Sequence, residues 1–80
     1  MKVHLNRIDS ARGMARFYLV MVVKSLFDDW EVQREWGRIG QGGTVRSCTY
    51  STEAEALGMA VAIVKGKVRR GYQVCDSAGS

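Results

Sequence analysis

Trp36, Gly37 and Arg38 stand in a row inside the stretch REWGRIGQGG (34–43), and Gly40, Gly42 and Gly43 follow at once. A flat ring beside a guanidinium suits a nucleobase or sugar next to a phosphate, because the ring stacks while the cation meets the charge. Tryptophan and arginine are also the favoured anchors of protein interfaces, so the pair leaves two classes of partner open. Further cations bunch along the chain. Arg34 and Arg46 flank the glycines, Arg7, Arg12 and Arg16 lie near the start, and Lys65, Lys67, Arg69 and Arg70 fall inside KGKVRRG (65–71). They contribute to a net charge of +4 and a pI near 9.4, a moderate bias towards acidic partners. At a helix end such cations also complement the dipole, so their clustering on one surface decides whether they form a phosphate-contacting patch.

Other chemistries find fewer supports. GQGG has no lysine followed by serine or threonine at a helix start, and Thr44 opens a strand, so a phosphate-cradling loop of the P-loop kind is not expected. His4 is the only histidine, and no serine or cysteine lies near it in sequence to act as nucleophile. Asp28 and Asp29 form a turn pair without a second carboxylate cluster, so no nucleophile, base and orienting group can be assembled, and an enzyme is not expected. Cys48 and Cys75 lack C-x-x-C spacing, which leaves a zinc site short of ligands and makes two reduced thiols the expectation. No metal and no cofactor are expected.

The elements that position these residues read as one small α+β domain. KVHLNRI (2–8) suits an edge strand, and DSARG (9–13) a turn. ARFYLVMVVKSLF (15–27), rich in β-branched and aromatic residues from Phe17 to Val23, reads as a central strand covered on much of both faces. DDW (28–30) turns the chain. WEVQREW (30–36) alternates, with Trp30, Val32, Arg34 and Trp36 on one side, and TVRSCTY (44–50) returns as its antiparallel partner. Alternation favours core packing for Trp36. The interruption at Arg34 and the strand end at Gly37 favour a presented ring.

The helix has Thr52 as N-cap with Glu55 placed for a capping box. Its expected apolar stripe is Leu57, Ala60, Val61, Val64 and Val68. Gly71 supplies the left-handed C′ residue, and Tyr72 can fold back over the last turn. The expected architecture is an antiparallel sheet of about four strands with one helix across a face, a single domain over 1–75 and a flexible tail over 76–80. There is no apolar run long enough to span a membrane and no secretory signal, so a cytoplasmic monomer is the expectation.

WGR (36–38) inside EVQREWGRIGQGG, with STEAEAL (51–57) and KGKVRRGYQ (65–73) at matching spacing, closely resembles the WGR domain. RIDSARGMARFY (7–18) is similar to stand-alone bacterial members of that family. The resemblance covers nearly the whole chain and implies an antiparallel sheet with a helix across it. In poly(ADP-ribose) polymerases the domain binds DNA near a strand break, with the motif tryptophan against the sugar and base at the broken end and the motif arginine helping to hold it. Those roles would fall on Trp36 and Arg38, with Gly37 keeping the backbone close. Arg34, Arg46, Lys65, Lys67, Arg69 and Arg70 are then the candidate phosphate contacts. The chain has no catalytic domain or zinc module like those polymerases, so signal transmission is not implied. DNA ends or nicks, without sequence specificity, are the expected ligand. A protein interaction adaptor using the same surface is the alternative.

Overall fold

The structure, a computed structural model, describes residues 1–78. Its elements run β1 (Lys2–Asp9), a short 3-10 turn (Ser10–Arg12), β2 (Met14–Lys24), β3 (Trp30–Arg38), β4 (Thr44–Tyr50), α1 (Glu53–Arg69) and β5 (Gln73–Ala78). The strands form one antiparallel sheet in the order β4-β3-β2-β1-β5, with α1 packed on β2, β3 and β4. This is the α+β architecture expected, with five strands in place of about four. No helix among the described residues is long and apolar enough to cross a membrane.

The fifth strand, β5, lies along the outer edge of β1. Val74 pairs with Leu5 and Ala78 with Lys2, past a register shift between His4 and Leu5. Small polar residues such as those of QVCDSA have weak strand preference. The outer edge of β1, however, offers unpaired backbone groups to any chain that Gly71 turns back alongside it. Of the expected tail 76–80, residues 76–78 belong to β5, and Gly79 and Ser80 lie outside the described residues.

β2 is central, but it stops at Lys24, before Ser25, Leu26 and Phe27. The Ser25 Oγ accepts from the Phe27 N–H at 3.1 Å and the Asp29 N–H at 3.3 Å, and Asp28 takes φ 69°. These bonds close a turn that leaves Leu26 98% and Phe27 86% exposed. The strand's two faces also differ. Tyr18, Val20 and Val22 are buried with Val3, Leu5, Val32, Ala56 and Ala60 in the core. Phe17, Leu19, Met21 and Val23, pointing the other way, are only half-buried, because α1 packs on the first face alone.

α1 is capped as expected at both ends. The Glu55 N–H donates to the Thr52 Oγ1 at 3.2 Å, while the Glu55 carboxylate meets the Thr52 hydroxyl at 3.1 Å. At the other end Gly71 takes φ 97°, and the N–H groups of Tyr72 and Gly71 bond the carbonyls of Lys67 and Val68 at 3.0 and 3.1 Å. That is the paired arrangement of a Schellman cap. The buried stripe is rotated from the expected one. Ala56 and Ala60 are fully buried, with Leu57, Ile63 and Val64 packed beside them, whereas Val61 and Val68 are exposed. Two alanines at spacing i, i+4 let the helix lie close on the β-branched sheet, and this contact sets the rotation.

Candidate nucleic-acid interface

Strand register decides which side chains meet. Tyr18 lies opposite Leu5 and Trp36, and Trp36 opposite Thr44; one row along, Val20 lies opposite Val3 and Arg34, and Arg34 opposite Arg46. All of these project from the face that carries α1. The helix covers the Val20, Val22 and Val32 portion of that face. Where it ends, the sheet opens into a basin of about 460 Å³ lined by Arg16, Tyr18, Arg34, Trp36, Arg46, Lys67 and Tyr72.

The basin is aromatic in its floor and cationic in its walls. The Tyr18 and Trp36 rings stack at 5.6 Å between centroids with planes 11° apart, and Tyr72 meets Tyr18 edge-on at 6.2 Å. Pairs of this kind stabilise by ~0.5–1.5 kcal/mol beyond their buried area. The Arg34 guanidinium carbon stands 5.8 Å from the Trp36 ring centre, and Arg34 also donates to the Tyr18 hydroxyl at 3.5 Å, the long limit of a hydrogen bond. The Lys67 ammonium sits 4.4 Å from the Tyr18 ring centre and 5.8 Å from that of Tyr72.

Arg16, Arg34, Arg46 and Lys67 therefore share one concavity with no acidic residue in its lining. Among the described residues the salt bridges are Arg12 with Asp9 and Lys24 with Asp28, so none of these four cations is neutralised by one. Burial pushes Lys67 below the usual lysine range, and Arg70 and Arg34 push it the same way. The ring faces beneath the ammonium favour its charge. An anion entering the basin relieves the repulsion from Arg70 and Arg34.

Of the residues singled out in the sequence, Trp36, Arg34, Arg46 and Lys67 converge on the basin. Arg38 is exposed at the end of β3, opposite Arg16 in register and so at the basin's margin. Arg70 lines an adjoining groove with Tyr18, Arg34 and Lys67. Lys65 and Arg69 are exposed on α1 and line neither. Trp36 is half-buried and packed against the core, so one ring serves both packing and the basin.

Gly37 and Gly43 leave room for a close backbone approach on the other face of the sheet. A Cβ on Gly43 would stand 2.6 Å from the Trp36 carbonyl oxygen and 2.9 Å from the Phe17 ring. One on Gly37 would stand 3.1 Å from the Gly43 Cα and 3.5 Å from Phe17. These positions face away from the basin, so the missing side chains let loop 39–43 fold over Phe17 while β3 holds Trp36 in place.

Sequence reasoning missed Tyr18, Tyr72 and Arg16 as members of the site. Tyr18 was hidden in an apolar run, and only the register of β2 against β3 would have set it beside Trp36. Cys48 and Cys75 are both free and exposed. No cluster among the described residues gathers three of the side chains that bind metals.

The family model of the WGR domain matches residues 1–78. An uncharacterized protein of Sinorhizobium fredii, y4dW, is 32% identical over 72 residues, which are 90% of this chain. The chain spans 35% of that relative's length.

Proposed function

The chain belongs to the WGR domain family, and from that premise we propose that its basin binds nucleic acid at DNA ends or nicks, without sequence specificity. The observation that carries this reading is the convergence of Arg16, Arg34, Arg46 and Lys67 around the Tyr18–Trp36 stack, with no acidic residue in the lining. Such a surface offers a phosphate several cations and offers a sugar or base the edge and remaining face of Trp36. A base unpaired at a break gains ~1–3 kcal/mol from stacking, which a base inside a continuous duplex does not offer. Arg38 and Arg70 extend the positive surface on two sides and track the phosphates beyond the break. In this reading recognition goes through backbone and shape rather than base edges.

The competing reading is a protein interface anchored by the same tryptophan and arginines. Fluorescence-anisotropy titrations of nicked duplex at two salt concentrations separate the two. Phosphate binding falls steeply with salt through counterion release, whereas an aromatic-anchored protein interface changes little. Binding that is strong at low salt and about tenfold or more weaker at moderate salt supports the proposal. No binding at tens of micromolar protein at either salt removes it.

A further inference from the structure

Among the described residues, only the glycine loop at Phe17 covers the face of the sheet opposite α1. Down its centre run Leu19, Met21 and Val23 of β2, with Phe17 at one end beneath the glycine loop. On one flank stand Lys2 and His4 of β1, and on the other Glu31, Gln33 and Glu35 of β3, so cation and anions lie on opposite sides of an apolar stripe. We infer that this face docks a second copy of the same chain, sheet against sheet, about a two-fold axis parallel to β2.

The charges select the axis. A two-fold perpendicular to the strands would bring β3 onto its own copy and set Glu31 and Glu35 against like charge. An axis along β2 brings β1 of one copy over β3 of the other and keeps every residue at its own level. Lys2 shares a level with Met21 and Gln33, and His4 with Leu19 and Glu35. Lys2 of each copy then arrives over Gln33 with Glu31 and Glu35 on either side, and His4 arrives over Glu35. A recess of about 60 Å³ lined by Leu19, Met21, Gln33, Arg34, Glu35 and Val45 lies where those side chains come down.

The stripes of β2 meet along the axis at the ~10 Å spacing of packed sheets. The same operation carries both β2–β3 turns, with exposed Leu26 and Phe27, to one end of the pair. The α1-bearing faces, and with them the two basins, point outwards from a two-layer core. This dimer does not depend on what the basins bind.

Sedimentation equilibrium of the protein alone, up to about 500 µM, tests the inference. The expected result is a monomer–dimer equilibrium. Lys2→Glu and Glu31→Lys should each weaken it by about tenfold, and the double swap should recover part of the loss, because the exchanged charges at 2 and 31 attract again across the axis while Glu35 still repels. All three variants change exposed or half-exposed residues, and circular dichroism verifies their folds. Trp36→Ala should leave the equilibrium unchanged. A protein monomeric at the highest concentration overturns the inference. So does a dimer indifferent to the charge swaps, which would be joined elsewhere, for example through the free edge of β4.

Discussion

Lys67 carries the clearest conflict between stability and binding. Its pKa is lowered by burial and by Arg70 and Arg34, so the unfolded chain holds the proton more tightly than the folded one. Stability therefore rises as pH climbs from the lowered value towards the unfolded one, and at neutral pH the charged Lys67 is carried at a cost. Lys67→Met keeps the packing on Tyr18 and Tyr72 but removes the charge. It should raise Tm slightly at low salt in a thermal melt, with the gain fading at high salt. The same substitution should weaken nucleic-acid binding and reduce the salt slope by about one. A phosphate beside Lys67 favours its protonated form, so wild-type affinity should decline as pH rises through the lowered pKa of Lys67 towards the ordinary lysine value, and that decline should be much shallower in Lys67→Met. Titrations across that range check it; parallel profiles for the two proteins would remove Lys67 from the site.

At the scale of elements, the loop after β3 depends on a close backbone approach. Loop 39–43 must cross within van der Waals range of Trp36, and only glycine at 43 allows it. Gly43→Ala should cost about 3 kcal/mol by denaturant unfolding, a loss in the range of severe backbone clashes. Thr52→Ala removes the N-cap bond to the Glu55 N–H and should cost ~1 kcal/mol with little change at the basin. The helix caps were legible in the sequence because capping depends on residues three or four apart. β3 was legible by alternation and β2's centrality by its β-branched run, but β1, expected at an edge, lies between β2 and β5. β5 was not legible, because backbone pairing to an open edge recruits it without a pattern of its own. The rotation of α1 was hidden too, since a sequence stripe does not reveal that alanines will make the closest approach.

At the scale of the molecule, the sheet separates two surfaces. One carries α1 and the cationic aromatic basin, and the other carries Leu19, Met21 and Val23 between charges of opposite sign. The cations of Arg34, Arg46 and Lys67 were visible in the sequence, but their convergence depends on strand register and on where the helix stops. Tyr18 and Arg16 join them for the same reason, while Lys65 and Arg69, close to Lys67 in the chain, turn away. With four cations in the basin and Arg38 and Arg70 beside it, log affinity should fall with log salt at a slope of about −4 to −5, and Arg34→Gln should make the slope shallower by about one. The most direct test of the account compares Trp36→Ala with wild type, both verified as folded, on a nicked duplex and on a closed hairpin duplex by fluorescence anisotropy. The account predicts a loss of about tenfold or more on the nicked duplex and less than about twofold on the closed one. Equal losses on both would contradict it.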